Sequence, residues 1–540
     1  MFPFLLLFLL ALPLSLAQFN TSGPTVTVTN GSYIGKYVSE WQQDHFLGIP
    51  YAIPPLGQLR FARPRSLNTS FTGLRDATKY GHSCYQYGTT FNLSEDCLTL
   101  NDQLVLVQTA SCLFWFGYLV EVFTLARLQI PNPDQITVWG ESAGAQSISL
   151  HLHSYDGRND NLFHAAILES GSPTGASLYV VISLALASAR FIYYSSDINP
   201  LGYYTVPAEN LTRTAGCWTA SDKLACLRSL TSDQLYKAQV SQQWNPIVDG
   251  DFLTDYPSSL APQGKFIKVP LLIGANSDEG SSFGNTGLDN ETAIFNSLLV
   301  YRASNAYALS PPTARKLLEL YPNDPANEPP YYINNPTIFP SKGLQWRRDA
   351  AIAGDLVMIA GRRKVLILLL PQIQSLEATD TNLTNRCVSN TPTHLKRSTV
   401  TAYAPSHLLA PPVISNSLPV DTPLWNGAIT DGARHFVNVV FSFQNISGAL
   451  GPLPKYTNYL SLSRAIGRSY ISFVNHLDPN TLMGNLTVGN ASVPTWPKYQ
   501  LGAPKNVVWN SNMSWVESDT WRKEGIDFIN YGGVDRELWS

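Results

Sequence analysis

Val138-Trp139-Gly140-Glu141-Ser142-Ala143-Gly144-Ala145 is the stretch whose reading decides the fold. The apolar run Ile136 to Trp139 reads as a short buried strand, and the Ala/Ser/Leu-rich segment Ala143 to Leu152 favours helix. Ser142 therefore falls on the turn between them, inside a Gly-x-Ser-x-Gly element. Small residues on both sides permit the cramped backbone of a nucleophile elbow, which pushes a hydroxyl into a cleft above a helix N-terminus. That arrangement points to acyl transfer. An ordinary glycine-rich turn is the competing reading, and the remainder of the chain has to separate the two.

The chain begins with an apolar segment, Met1 to Ala17, that ends in the small-x-small pattern Ser15-Leu16-Ala17 and reads as a signal peptide. A membrane anchor is disfavoured because Pro3 and Pro13 break the run and no basic flank stops transfer. The expectation is a secreted, extracellular protein whose residues 18–540 form a single domain. Sequons at Asn20, Asn30, Asn68, Asn92, Asn210, Asn290, Asn382, Asn445, Asn485, Asn490 and Asn512 are compatible with that compartment and mark surface positions.

Six cysteines in 540 residues are too few to staple a scaffold, so a large hydrophobic core has to hold the fold. Cys84 and Cys97 lie close in sequence, as do Cys217 and Cys226; Cys112 and Cys387 remain unassigned. Neither Cys-x-x-Cys nor His-Glu-x-x-His occurs, so no metal site is expected. His151 and His153 face different directions on the helix after the nucleophile and read as surface or core residues. The net charge of −3 offers nothing to a polyanion. The longest basic cluster, Arg362-Arg363-Lys364, reads as a solvated helix face, not a nucleic-acid site.

A serine nucleophile needs a base, and the base needs an acid to orient it. Val269 to Gly274 reads as a buried strand running into the polar turn Ala275-Asn276-Ser277-Asp278-Glu279-Gly280, at the strand end where catalytic groups collect. Glu279 is the candidate acid, with Asp278 as its local rival. Of the histidines that follow, His394 and His407 sit in Pro/Thr/Ser-rich segments and His476 near a helix end. His435 follows the loop Asp431-Gly432-Ala433-Arg434 and precedes an apolar run, so a loop presents it while packed structure anchors it. The order Ser142, Glu279, His435 is that of α/β-hydrolases.

With these residues in place the chain resembles the type B carboxylesterases, the family of fungal lipases and cholinesterases, over most of its length. Phe46-Leu47-Gly48-Ile49-Pro50-Tyr51-Ala52, Pro54-Pro55-Leu56-Gly57 and Leu59-Arg60-Phe61 read like its N-terminal block, and Ser94-Glu95-Asp96-Cys97-Leu98 like its second signature. Gly140 to Gly144 matches the nucleophile motif, Glu169-Ser170-Gly171-Ser172 a block on the acyl side of the pocket, and Asn276 to Gly280 the triad acid. The resemblance implies an α/β-hydrolase fold, a central mostly parallel sheet flanked by helices, and the pairings Cys84 with Cys97 and Cys217 with Cys226. His435 departs from it in one respect: the family often has glycine after this histidine, where this chain has Phe436.

Leu98 to Pro133 departs further. The family carries there a strand, a Gly-Gly loop that supplies oxyanion-hole amides, another strand and a long helix, and this stretch is several dozen residues too short. From Thr89 to Trp139 the only glycine is Gly117, and Cys112 to Val120 offers one strand. Part of the sheet between residues 98 and 133 is therefore expected to be missing, with Ala143 N–H the one oxyanion donor that the motif supplies. Ala176 to Leu201 and Val365 to Asn382 also lack the family's character, with apolar runs too short to span a bilayer; beside the gap they point to mis-joined coding segments.

The leading expectation is a secreted carboxylic-ester hydrolase using Ser142, His435 and Glu279 through an acyl-enzyme, with no cofactor. Its substrate is a small-molecule or lipid-like ester, and no nucleic-acid partner or stable membrane anchor is expected. One alternative is an impaired or inactive esterase fold used for binding, because the oxyanion loop is absent. Another is a triacylglycerol lipase, disfavoured because only twelve residues separate Cys84 from Cys97, where the resembled lipases carry their lid.

Overall fold

Among the described residues eight strands build the main sheet, and their order across it is their order along the chain. They are β1 (Lys36–Val38), β2 (Gln43–Pro50), β3 (Thr99–Val107), β4 (Ala110–Phe116), β5 (Thr137–Glu141), β6 (Ala165–Glu169), β7 (Leu271–Gly274) and β8 (Ala402–Tyr403). β1 to β4 pair antiparallel, and β4 to β8 run parallel. The computed structural model describes residues 23–28, 30–40, 43–67, 69–85, 92–107, 110–116, 136–172, 205–238, 248–299, 309–324, 328–331, 341–379, 402–403, 405–409, 432–444, 457–489 and 491–534. The leader Met1 to Ala17, the apolar run Leu178 to Ala187, Cys387 and His394 lie outside them.

β5, β6 and β7 are short and apolar because both of their faces are covered. Along β6, Ala165 and Ile167 point to one side while Ala166 and Leu168 point to the other, and all four are fully buried. On one face pack helix α1 (Ala143–His153) and the helix Ala360–Thr379, through Ile148, Leu152, Val365, Leu366 and Leu369. The other receives the helix Thr457–His476, through Leu462, Ile466 and Phe473. The segment that starts at Val365, without family character in the sequence, thus seals one face of the sheet.

Two expectations are corrected. In the segment where part of the sheet was expected to be missing, β3 and β4 form an antiparallel hairpin paired to β2 on one side and β5 on the other. A two-residue connection, 108–109, allows only antiparallel pairing, whereas the longer stretch 117–135 gives β4 the length needed to run parallel to β5. Arg362-Arg363-Lys364 is not a solvated face either: all three residues are buried. Arg362 and Arg363 both reach Asp519 at 2.8 Å, so a distant carboxylate supplies the counter-charge.

Cys84 is bonded to Cys97 and Cys217 to Cys226, with Cα separations of 5.0 and 5.7 Å. Of the sequons within the described residues, Asn92, Asn210, Asn290, Asn485 and Asn512 are exposed and Asn30 is half-buried. Among those residues no helix is long and apolar enough to cross a membrane.

Replacing Cys217 and Cys226 together by alanine is expected to cost about 2–3 kcal/mol, because a closed loop of about ten residues is freed in the unfolded chain. Urea titration reads this as a lower midpoint at unchanged slope. An unchanged midpoint would refute it.

Candidate active site

Strand register assembles the site. Glu141, Glu169 and Gly274, the last residues of β5, β6 and β7, are ladder partners, so the three chains leave the sheet side by side at its C-terminal edge. The ladder extends one residue further: Ser142 N–H donates to Glu169 O at 2.9 Å, and Ser170 N–H to Gly274 O at 2.8 Å. Open α/β sheets bind ligands at this edge.

Ser142 caps α1 with φ 54° and ψ −119°, a strained conformation for a residue with a side chain. Space permits it because Gly140 has no Cβ: one added there would lie 2.5 Å from Gly144 C and 2.7 Å from Ala145 N. Ala143 follows as the first residue of α1, so its amide is one of those a helix N-terminus leaves without an intrahelical acceptor.

Ser142, His435 and Glu279 come together. His435 Nε2 lies 2.7 Å from Ser142 Oγ, and His435 Nδ1 lies 2.6 Å from Glu279 Oε2. Glu279 opens a short 3-10 turn, is fully buried, and accepts through Oε1 from Ser170 Oγ at 2.5 Å and Asn276 N at 2.7 Å. Phe283, from the same turn, packs its ring against the imidazole at 5.0 Å. Asp278 faces elsewhere and takes Ala433 N–H at 2.7 Å, so Glu279 is the carboxylate on the imidazole. Phe436, the residue that departs from the family pattern, has φ +76°. Glycine adopts this conformation freely, which is the physical reason for a glycine after this histidine.

Three further carboxyls surround this chain of contacts. Glu141 Oε1 is 3.7 Å from His435 Nε2; burial first, then the charges of Glu279 and Glu169, push its pKa well above the usual carboxylate range. Glu169 takes Tyr470 OH at 2.7 Å and Trp139 Nε1 at 2.8 Å, which oppose the rise that burial imposes. Asp278 is pushed up to about 6 by burial, against bonds from the Ala433 and Tyr331 amides and the Ser277 hydroxyl.

Sequence reading missed the residues that hold these groups. Ser170 belongs to the block that the resemblance sets on the acyl side of the pocket, and its hydroxyl donates to Glu279. Asn276 joins the acid turn to the histidine loop, donating through Nδ2 to Arg434 O at 3.1 Å and Asn438 Oδ1 at 2.9 Å. Their only signal was polarity beside a strand end. His151 and His153 take no part: burial lowers both to about 4, and their rings pack against Phe252 and Phe266. Among the described residues no group of three or more His, Cys, Asp or Glu is placed to hold a metal ion.

Residues 22–102 and 131–316 match the Carboxylesterase family. The chain is 28% identical over 463 residues to Lipase 4 of Diutina rugosa, covering 66% of this chain and 79% of the relative. It is 32% identical over 336 residues to the Cholinesterase of Mus musculus, covering 46% and 53%. To Secreted lipase 1 of Botryotinia fuckeliana (strain B05.10) it is 26% identical over 623 aligned positions, covering 94% and 93%.

The elevated Asp278 gives stability a signature in pH. A carboxyl whose folded pKa exceeds its unfolded value adds stability below about pH 4 and loses it as pH rises through about 6. Wild-type stability relative to Asp278→Asn is therefore expected to fall by roughly 3 kcal/mol between about pH 4 and 7 in urea titrations. A difference independent of pH would show that the carboxyl is not elevated.

Proposed function

From a chain that belongs to a carboxylesterase/lipase-like family, we propose a secreted carboxylic-ester hydrolase of α/β-hydrolase fold in which Ser142, His435 and Glu279 form the catalytic triad. The observation that carries this reading is the unbroken hydrogen-bond chain from Ser142 Oγ through both imidazole nitrogens to Glu279. Ser142 Oγ attacks the ester carbonyl while His435 Nε2 takes its proton, and Glu279 holds Nδ1–H so that Nε2 presents its lone pair. The tetrahedral oxyanion accepts from Ala143 N–H. Collapse expels the alcohol, which takes the proton from Nε2, and leaves Ser142 acylated. Water then attacks the acyl carbonyl, gives its proton to Nε2, and releases the acid as Ser142 regains the proton.

Secretion is supported by the N-terminal apolar segment, by exposed sequons, by two disulfides and by the likeness to a secreted lipase. A parallel run of strands with helices on both faces supports the α/β-hydrolase assignment. The short Cys84–Cys97 loop favours soluble or short-chain esters. Two of the relatives are named lipases, which supports a second reading as a lipase. A third reading, impaired catalysis, is favoured by the missing Gly-Gly pair between Thr89 and Trp139.

A serine-directed phosphonate is expected to label Ser142 alone, and Ser142→Ala to abolish both labelling and ester cleavage. Glu279→Gln should lower kcat by about 10⁴ through loss of the correct tautomer. Equal labelling of wild type and Ser142→Ala would end the assignment. Faster cleavage of emulsified long-chain than of dissolved butyryl esters would select the lipase reading. Restoring a Gly-Gly loop between Leu100 and Asn132 should raise kcat by about 10²-fold or more if oxyanion donors are lacking. An unchanged rate would assign the role to other amides.

A further inference from the structure

Asp278 is the buried acid for which the triad has no use. It sits immediately before Glu279 and is fully buried. Its carboxylate and backbone both engage one residue of the histidine loop: Oδ2 takes Ala433 N–H at 2.7 Å, and Asp278 N–H donates to Ala433 O at 3.1 Å. Oδ1 takes Tyr331 N–H at 3.3 Å, and the Ser277 hydroxyl donates to Oδ2 at 3.2 Å. Gly432 brings the loop against this carboxylate. It has φ +65°, and a Cβ there would lie 2.3 Å from Asp278 Oδ2 and 3.0 Å from Pro330 Cβ.

The acid turn therefore grips the loop twice. Glu279 holds the imidazole, and Asp278 holds the backbone two residues before it. Resting on the triad reading above, we infer that Asp278 is a positioning residue that fixes the 432–436 loop so that His435 meets Ser142 and Glu279 together. It acts through Ala433, whose backbone it holds, while Glu279 holds the imidazole itself. The geometry makes the acceptor character essential. Two backbone N–H groups from different segments converge on one carboxylate, and an amide at this position would turn an N–H donor toward one of them. A misplacement of about 1 Å in a catalytic group costs up to about 10²-fold in rate.

The matched control is Asp349, also buried and also raised by burial to about 6, whose acceptors serve Asn285 N at 2.6 Å and Asn285 Nδ2 at 3.2 Å, apart from the histidine loop. Asp278→Asn and Asp349→Asn are compared with wild type in three measurements: ester kinetics, the rate of phosphonate labelling at Ser142, and the titration of His435 followed by NMR of histidine-labelled protein. Asp278→Asn is expected to lower kcat and the labelling rate by about tenfold or more, with KM within about twofold. It should also shift the His435 imidazole signals from their wild-type positions. Asp349→Asn should leave all three at their wild-type values.

Unchanged kcat, labelling and titration in Asp278→Asn would overturn the inference, as would equal changes in Asp349→Asn. If wild type neither cleaves esters nor takes phosphonate, the hydrolase reading fails, and the His435 titration alone decides about Asp278. If Asp278→Asn does not fold, Gly432→Ala takes its place, because the added methyl presses on the same carboxylate from the loop side; wild-type kcat and titration in that variant would likewise overturn the inference.

Discussion

The register that aligns Glu141, Glu169 and Gly274 is the constraint on which the site depends. A strand has a side-chain period of two, so a slip of one residue would turn Ala166 and Leu168 to the face that Ala165 and Ile167 now fill. Because both faces of β6 are packed, neither shift is tolerated. The same pairing delivers Ser142, Ser170 and the 275–279 turn to adjacent places at one edge. Core packing thereby fixes the site: the helices that seal the sheet choose the register, and the register chooses which polar residues meet.

Four carboxyls gather at this edge of the sheet, and their surroundings divide their work. Glu279 meets the ring and is held by Ser170 and Asn276. Asp278, its neighbour, meets the backbone at Ala433. Glu169 is turned toward Tyr470 and Trp139. Glu141 lies beside Nε2 with its acidity weakened by burial and by the other acids, so the charged form becomes more favourable as the imidazole gains a proton.

Ser142, Glu279 and His435 were legible in the sequence because each sits in a short segment whose local chemistry announces itself: a strand-turn-helix with flanking glycines, a polar turn after an apolar strand, and a loop before an apolar run. The roles of Ser170, Asn276 and Asp278 were not, because each is defined by a partner more than 100 residues away, set by strand pairing or by how two loops meet. The hairpin of β3 and β4 was missed for a different reason. Gln108-Thr109, between the two strands, carries none of the glycine, asparagine or proline that marks a tight turn. Arg362 and Arg363 misled in turn because a basic run on a helix is ordinarily solvated, and Asp519, which makes burial tolerable, lies 157 and 156 residues along the chain.

Three strained residues stand at the same edge. Ser142, Ser170 and Phe436, one from each of the segments that meet at Glu279 and His435, all have positive φ without being glycine. Each such residue costs of order 1–3 kcal/mol and persists only where its surroundings over-determine it. For Ser142 and Ser170 those surroundings are the extended ladder, which holds their amides to Glu169 O and Gly274 O. For Phe436 it is the loop gripped by Asp278 on one side and continued by the short helix Asn438–Ser442 on the other. The packed sheet can sustain conformations that an isolated turn would relax, and those conformations aim the hydroxyl and the imidazole at one point. Rigidity in the core and strain at the edge are therefore one design: the first makes the second affordable, and the second gives Ser142 and His435 their direction.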